Sequence, residues 1–404
     1  MKRRATPLAI TIICYIAFVS LGAPDAVLGV AFPDIRMEFG LPSAGIGFIL
    51  VSSSTGYFLS STFAGTILRY VSLGTLLALS TSLVAIGLLG YAVVPFFPWF
   101  MLLAFGIGSG SGAIDTGLNA YATAHFSAAK MNRLHGFFGI GAMLGPLAMT
   151  GVLASGRSWQ SGYTVVGGFI LAMAVIFILT RNFWEDPSAG PEGQPVAVTL
   201  TEALRQRPVL IQIAVFLVYC GIEVTVGQWG YSILRERFGA SQAMAGVWVS
   251  LYWGSIAAGR LILGPLVDRV GATLLVRVAL LATIAGAVLF LLPVYGVAVA
   301  GVLLIGFGLS SVFPTLITLT SRRLPAPMLT HAIGFSVAAA VVGGATFPTV
   351  AGLLGDHLGV VAIAWLIAIA SVVVFLLNDL LNRASAAPVR MRQMPARIAT
   401  DLAD

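Results

Sequence analysis

The sequence predicts an all-α membrane protein of twelve transmembrane helices, arranged as two pseudo-symmetric six-helix bundles. Hydrophobic residues make up 58% of the 404 residues, charged residues only 9%, and the mean hydropathy is +0.98. A soluble domain needs about a quarter of its residues charged, so this composition excludes a water-soluble fold. Apolar runs of roughly 20 residues, enough to cross a bilayer, occur at 6–35, 43–70, 73–94, 97–124, 133–155, 160–181, 208–234, 241–267, 273–292, 295–321, 329–353 and 359–381.

The distribution of basic residues predicts the orientation in a cell membrane. Lys and Arg accumulate in cytoplasmic segments. If both termini are cytoplasmic, only Arg36, Arg157, Arg235 and Arg237 of the 22 basic residues lie outside, and Arg260 is grouped with the inner ones. The net charge of +7 therefore reports topology and gives no reason to expect a nucleic-acid partner.

One polar interruption divides the chain. Residues 182–207 contain Pro, Gly and acidic residues, as a cytoplasmic linker does. We therefore predict an N-terminal bundle at 1–181, a C-terminal bundle at 208–382 and a basic cytoplasmic tail at 383–404.

The two halves repeat one another at an offset near 200 residues. Three short stretches recur in the same order: "AGTILRYVSLGTLL" with "LGPLVDRVGATLL", "GIGSGS" with "GFGLSS", and "MEFG" with "ERFG" (64–77 and 263–275, 106–111 and 306–311, 37–40 and 236–239). Duplicated six-helix halves are typical of secondary transporters, whose binding site lies between the halves near the middle of the bilayer.

A motif in the second half resembles a known family signature. "GRLILGPLVDRVG" (259–271), with Gly264, Asp268 and Arg269, is similar to the loop between the second and third helices of each half in the major facilitator superfamily. The first-half copy, "AGTILRYVSLG", keeps Gly65 and Arg69 but lacks the aspartate. The resemblance implies a loop that takes part in conformational change.

Four further stretches resemble the fucose–proton symporter branch and its sugar-porter relatives. They are "LGAPDAVLGVAFPDIRMEFGLP", "GIGSGSGAIDTGLNAYA", "LHGFFGIGAMLGPL" and "GIEVTVGQWGYS" (21–42, 106–122, 134–147 and 221–232). The resemblance implies import of a monosaccharide coupled to protons or sometimes to sodium.

Three acidic residues lie deep inside predicted spans: Asp25, Asp115 and Glu223. Ionisable groups there cost several kcal/mol and normally face a cavity or a partner. Because low dielectric favours the neutral form of a carboxyl group, such a group can take up and release a proton near neutral pH. We predict that these residues couple transport to protons, or to sodium. Asp25 follows Pro24, which can distort the helix, and a purely structural pairing of Asp25 stays open.

The glycine-rich fourth span contains Asp115 and Asn119 four residues apart, on one helical face. Gly108 and Gly112 extend that face, and we expect them to leave space before the two polar side chains. Gly106, Gly110 and Gly117 lie on the opposite face, where small residues permit close helix packing. Packing of Asp115 against another helix is the alternative.

A sugar needs hydrogen-bonding groups for its hydroxyls and an aromatic face for its ring. Asn119, Gln228, Trp229, Tyr219 and Tyr252 are the candidate substrate-binding residues. Gln228 and Trp229 reach the cavity only if glycines interrupt the seventh span, and Trp229 can instead be an interfacial anchor. Tyr252 is followed by Trp253, so at most one of this pair faces the cavity of a regular helix.

No catalytic, metal-binding or cofactor motif occurs in the sequence, which predicts a carrier and not an enzyme. "GIGSGSGAID" lies within an apolar span, which argues against a phosphate loop. We expect a monomer in the lipid bilayer with a small-molecule substrate. The leading hypothesis is import of a monosaccharide or polyol by alternating access. The alternatives are a proton-coupled exporter of drugs or other amphiphiles, and a non-transporting membrane sensor. His135 and His331, which open the fifth and eleventh spans, are structural or take part in gating.

Overall fold

The computed structural model of the protein describes residues 7–126, 128–184, 200–324 and 326–386. This part of the chain is helical and contains twelve helices or helix pairs long and apolar enough to cross a membrane, which confirms the predicted fold class. The helices are α1 Pro7–Phe39, α2 Gly45–Ile67, α3 Leu73–Tyr91, α4 Phe97–His125, α5 Ala128–Ala154, α6 Trp159–Thr180, α7 Leu200–Leu204, α8 Arg207–Phe238, α9 Gln242–Leu263, α10 Val267–Val270, α11 Ala272–Leu291, α12 Tyr295–Leu309, α13 Val312–Arg323, α14 Ala326–Leu358 and α15 Val360–Ala386.

Helix is the expected conformation because a membrane offers no water to bind free backbone groups. Local signals set the helix ends: Ser72 and Ser241 accept a hydrogen bond from the backbone N–H three residues on, at 3.4 and 3.2 Å. At the ends of α1 and α8, Gly40 and Gly239 have φ of +62° and +65°, which glycine adopts without strain. These two glycines end the repeated "MEFG" and "ERFG" stretches, so the structure bears out that part of the repeat.

The helices form two bundles. In the first, α1 packs on α5, α2 on α4, and α3 on α4 and α6. In the second, α8 packs on α14 and α15, α11 on α12 and α15, and α9 on α12. Three pairs connect the bundles: α1 with α8, α2 with α14, and α5 with α9. We call the side where α1 begins and α6 ends the terminal side, and the opposite side the far side.

The predicted boundaries differ slightly from the observed ones. The second bundle begins at Arg207 and its last helix continues to Ala386. The predicted linker contains the short helix α7, while its residues 185–199 lie outside the described residues, as do 387–404 of the predicted tail and Lys2, Arg3 and Arg4.

Two spans differ in continuity from the prediction. The seventh span, whose glycines left a break open, is one helix, α8. The tenth, expected to be continuous, is divided between α12 and α13 at Ser310 and Ser311. Pro314 lacks the backbone N–H that would bond the Ser310 carbonyl, which is a sufficient reason for the interruption. Beyond it, the Gln212 amide of α8 donates to Thr320 of α13 and Ser336 of α14, at 3.0 and 2.9 Å.

Candidate functional site

In the first bundle, Asp115 is the centre of a hydrogen-bonded cluster between α2 and α4. The Tyr57 hydroxyl donates to Asp115 Oδ2 at 2.6 Å, and Asn119 Nδ2 donates to Oδ1 at 2.8 Å. Asn119 Nδ2 also lies 2.9 Å from the Asp115 carbonyl oxygen. Sequence analysis placed Asp115 with Asn119 on one face, but it missed Tyr57, because the partner comes from another helix. A carboxyl group held by two donors is fixed in position and can still exchange a proton.

The glycines of α4 pack on both faces, so the expectation that Gly108 and Gly112 leave open space is wrong. A Cβ atom added to Gly108 would lie 2.9 Å from Cα of Ser53, and one added to Gly112 would lie 3.0 Å from Cα of Tyr57. On the other face, a Cβ on Gly117 would lie 3.0 Å from the Leu73 side chain. Close approach of α2 is what allows the Tyr57 hydroxyl to reach Asp115.

Asp25 is the most accessible of the three predicted carboxyl groups. It is exposed although residues 20–24 and 26–32 on either side of it are buried, so it faces an open space within the molecule. α1 remains one helix through Pro24.

In the second bundle, two tyrosines surround Glu223. The Tyr219 hydroxyl donates to Glu223 Oε2 from one helical turn away on α8. The Tyr252 hydroxyl of α9 donates to the Glu223 carbonyl oxygen at 2.8 Å. Tyr219 and Tyr252 are 1% and 0% exposed, so both support Glu223 from behind in this conformation and neither forms the open surface of the cavity.

Gln228 and Trp229 connect helices in this structure. Gln228 Nε2 donates to the Asp25 carbonyl oxygen at 3.3 Å, across the two bundles. Trp229 Nε1 donates to the carbonyl oxygen of Pro348 in α14 at 2.9 Å, and its ring packs edge-on against Phe32 of α1 at 6.1 Å. Trp229 is 3% exposed and lies inside the protein, so it is not an interfacial anchor. In this conformation it ties α8 to α14 and α1, and its role as a substrate contact stays a prediction.

Trp253 of α9 packs against α8 near Gln228. A Cβ on Gly227 would lie 2.9 Å from Cε2 of Trp253, so the indole packs directly across α8. Trp253 Nε1 and Gln228 Oε1 are both buried without a hydrogen-bond partner among the described residues. Tyr252 and Trp253 are both largely buried, with ring centroids 5.3 Å apart.

Charge counting grouped Arg260 with the inner interfacial residues and gave it no role at the site. The structure places it in α9, half-buried, with its charge acting on the Tyr219 hydroxyl and on the ring of His135 in α5. His135 packs edge-on against Phe18 at 5.5 Å. Since α9 is a membrane span, an arginine inside it was the signal available in the sequence.

The residues of the loop motif lie at the terminal side. Gly65 is in the last turns of α2 with no atom within 4 Å of an added Cβ, and Arg69 follows α2 and is exposed. Gly264 begins a 3₁₀ helix, Gly264–Leu266, and Arg269 lies exposed in α10. The side chain of Asp268 is outside the described residues. None of these residues lies at the central cluster, as expected of a loop motif.

The bundles touch at the far side. A Cβ on Gly29 would lie 2.8 Å from Cα of Gln228, and one on Gly352 of α14 would lie 2.8 Å from the backbone N of Ala44. Nearer the terminal side, α5 and α9 also touch, where a Cβ on Gly139 would lie 2.6 Å from Cβ of Ala257. The backbones of the two bundles approach most closely at the far side, so the cavity is closed there.

Comparisons with known proteins agree with this fold. The chain is 23% identical over 263 residues to the glucose/mannose transporter GlcP of Bacillus subtilis (strain 168), a match that spans 61% of this chain and 62% of that protein. Bypass of stop codon protein 6 of Saccharomyces cerevisiae is 24% identical over 176 residues, 39% of this chain and 34% of that protein. The chain thus matches less than two thirds of the length of either relative.

Solved structures share the fold over nearly the whole chain. The nucleoside transporter NupG superposes with a TM-score of 0.73 at 14% identity, covering 93% of this chain and 98% of that one. A single-site variant of the E. coli fucose:proton symporter FucP gives 0.62 at 17% identity, with 94% and 99% covered. A model of the Major Facilitator Superfamily matches residues 12–336 and 211–388, and the chain belongs to this superfamily of membrane transporters.

Proposed function

We propose that this protein is a secondary active transporter that imports a monosaccharide or related polyol across the cell membrane, coupled to protons or to sodium. The observation that carries the proposal is a set of three carboxyl groups inside the membrane spans. Asp25 lies where the bundles meet, since Gln228 of the second bundle donates to its carbonyl oxygen. Asp115 belongs to the first bundle and Glu223 to the second. Both Asp115 and Glu223 receive a tyrosine hydroxyl. If both termini lie in the cytoplasm, as the basic residues predict, the closed far side faces outward and the cavity opens inward.

The contacts between the bundles support the proposal of alternating access. The far side closes where Gly29 meets α8 and where Gly352 meets the start of α2. Opening these contacts while closing the terminal side would expose the same carboxyl groups to the opposite side. If a protonated carboxyl group favours substrate binding, the ion gradient is linked to uptake.

The substrate class is supported by relatives and by the residues near the cavity. One relative is named as a glucose/mannose transporter and one structural neighbour as a fucose:proton symporter. Asn119 and the carboxyl groups are polar and suit hydroxyl groups. An exporter of amphiphiles calls for a larger apolar cavity, which these side chains do not favour.

The test is uptake into proteoliposomes. Purified protein is offered radiolabelled neutral hexoses and polyols under an imposed pH or sodium gradient, with and without an ionophore that dissipates it. We expect accumulation above equilibrium that the ionophore abolishes. If no monosaccharide, neutral or acidic, and no polyol accumulates under either gradient, the proposal is wrong.

Coupling is tested by Asp115→Asn and Glu223→Gln. Each should lose gradient-driven accumulation while retaining exchange of substrate between equal compartments, because exchange needs no net movement of the coupling ion. Asp379→Asn is the matched control, since Asp379 lies in α15 and pairs with Arg277 at 3.2 Å, away from the cavity. Full accumulation by both cavity variants would contradict the coupling assignment.

A further inference from the structure

Arg260 lies where the two bundles meet, on the terminal side of the cavity. It follows Trp253 by seven residues, so the two share a face of α9. α5 of the first bundle packs along this part of α9, where a Cβ on Gly139 would lie 2.6 Å from Cβ of Ala257. The charge of Arg260 acts on His135 in α5 and on Tyr219 in α8. The guanidinium is thus surrounded by elements of both bundles.

This arginine has no fixed counter-ion in the described part of the chain. A charged side chain in a membrane span normally pairs with another group. Among the described residues no carboxylate lies within ion-pair distance of Arg260, and its Nε is buried without a hydrogen-bond acceptor. Glu223 is engaged by Tyr219, and Asp115 by Tyr57 and Asn119. The cation is therefore free to take its partner from a ligand.

We propose that the substrate carries a carboxylate and that Arg260 binds it, so that the transported compounds are monosaccharide acids such as uronates or aldonates. This inference rests on the proposed function and narrows its substrate class. A guanidinium presents paired N–H groups whose geometry matches a carboxylate, and the long side chain can turn its buried Nε toward a ligand.

Trp253 supplies a second contact for the same ligand. The backbones of Trp253 and Arg260 lie about 10 Å apart along α9, since seven residues separate them. The arginine side chain extends into this distance, so the space left between the indole and the guanidinium fits a hexuronate. The indole is 8% exposed and packs on α8 in this conformation, but its Nε1 has no partner among the described residues and becomes a donor for a sugar hydroxyl when the side chain turns toward the ligand. One end of the ligand would then meet the indole and the other the guanidinium.

An anionic substrate also gives a reason for coupling. Asp25, Asp115 and Glu223, when ionised, repel a carboxylate in the same cavity. A proton or a sodium ion on any of them reduces that repulsion, so the ion and the anionic sugar favour each other's binding. By linkage the effect is reciprocal.

The first test uses the wild-type protein in proteoliposomes under the gradient that drives uptake. In one assay, uptake of labelled glucose is measured in the presence of unlabelled glucuronate, galacturonate, gluconate, glucose or sorbitol. In the other, uptake of labelled glucuronate is measured directly. Glucuronamide, the uncharged amide of nearly the same shape, is the matched ligand control. We expect glucuronate or another acid to compete at least tenfold better than glucuronamide and to be accumulated.

The second test compares variants of the full chain by direct binding of the preferred acid. Arg260→Gln should weaken binding of the acid about 10- to 100-fold, because a charge-assisted contact is lost, and should leave binding of the neutral amide within about twofold. Arg260→Lys keeps the charge without the paired donors and should recover part of the affinity. Arg277→Gln, which removes a cation outside the cavity, should bind like wild type.

The outcomes separate this inference from the proposed function. Accumulation of neutral hexoses or polyols with no preference for any acid over the amide would overturn the inference and leave the proposed function standing. Equal binding of the acid by Arg260→Gln and wild type would overturn it too. If neither neutral sugars nor sugar acids accumulate, the proposed function fails and the inference with it. The wild-type ligand comparison decides the matter even where a variant does not fold.

Discussion

Asp25 and Glu223 stand 198 residues apart, at equivalent places in the first helix of each half, yet their surroundings differ. Glu223 is half-buried and accepts the hydroxyl of Tyr219 from the preceding turn. Asp25 is exposed, and within the described residues no hydrogen bond reaches its carboxyl group. Where Glu223 has Tyr219, Asp25 has Leu21 one turn earlier.

The first half holds its other carboxyl group on a different helix. Asp115 of α4 takes the role of the hydrogen-bonded acid, with Tyr57 of α2 as donor. Duplication thus preserved the helical frame, the turn glycines and the contact helices, while each half places its hydrogen-bonded acid on a different span. Two bundles with the same helix arrangement but differently placed carboxyl groups can present different side chains to the two sides of one substrate.

The largest expected effect comes from the glycines at the contact of α1 and α8, which are also 198 residues apart. A Cβ on Gly29 meets the backbone of Gln228, whereas a Cβ on Gly227 meets the Trp253 ring. Backbone cannot move aside as a side chain can, so Gly29→Ala should hold the far side open and lower uptake tenfold or more, by about 1–3 kcal/mol of overpacking. Gly227→Ala should have the smaller effect.

Distances between spin labels on the far-side ends of α1 and α8 would measure this opening, since Cys14 and Cys220 are the only native cysteines to replace. Gly168→Ala is the control, because no atom lies within 4 Å of its added Cβ. Unchanged distances and uptake in Gly29→Ala would show that the glycine contact does not close the far side.

An intermediate effect is expected from the tyrosines that hold the two acids. Tyr57→Phe and Tyr219→Phe each remove the hydroxyl that donates to a carboxyl group. The carboxyl group is then less firmly positioned, and uptake should fall about two- to tenfold, because a net hydrogen bond contributes about 0.5–1.5 kcal/mol. Gradient-driven uptake in proteoliposomes measures the change.

Tyr252→Phe is the matched control, because its hydroxyl bonds the Glu223 backbone and not the carboxyl group. Its uptake should stay close to that of wild type although the protein is slightly less stable. If only one of the two tyrosines that bond a carboxyl group lowers uptake when replaced, then only the acid of that half takes part in coupling, which would sharpen the comparison.

The smallest effect concerns Trp229, which ties α8 to α14. Trp229→Phe leaves the Pro348 carbonyl without its donor and should lower the free energy of unfolding by about 1–2 kcal/mol. Substrate affinity should not change, since the indole is buried against α14 and α1 in this conformation. Thermal unfolding in detergent and ligand binding measure the two quantities. Trp365→Phe, at a side chain 56% exposed, should change neither, and loss of affinity in Trp229→Phe would support its role as a substrate contact.

The sequence was sufficient for the spans, the repeat and the pairing of Asp115 with Asn119. These follow from apolar run length, from residue order and from helical spacing, all of which are local. The sequence did not identify Tyr57 as a partner of Asp115 or Tyr252 as a partner of Glu223. Each tyrosine comes from a neighbouring helix, and which helices are neighbours depends on the packing of the whole bundle. The open face expected at Gly108 failed for the same reason, since a glycine face serves close packing and open space equally well in sequence.

Trp229 and Arg260 show the limits of assigning a role from residue type. An indole in a span with glycines resembles a sugar contact until its N–H is seen to bond a backbone carbonyl. An arginine near the end of a span is counted with the interfacial charges until its neighbours from both bundles are known. In each case the decisive information is the direction of a side chain across a helix contact.

The interruption at Ser310 and Ser311 gives the second half a mechanical joint that α4, its counterpart in the first half, does not have. Gln212 fastens α13, beyond that joint, to α8 and α14. The terminal-side parts of α8, α13 and α14 would then move together about the interruption, while the far-side glycine contacts stay in place. Covering the terminal side of the cavity would in that case require movement of only part of the second bundle and no rotation of one whole bundle against the other.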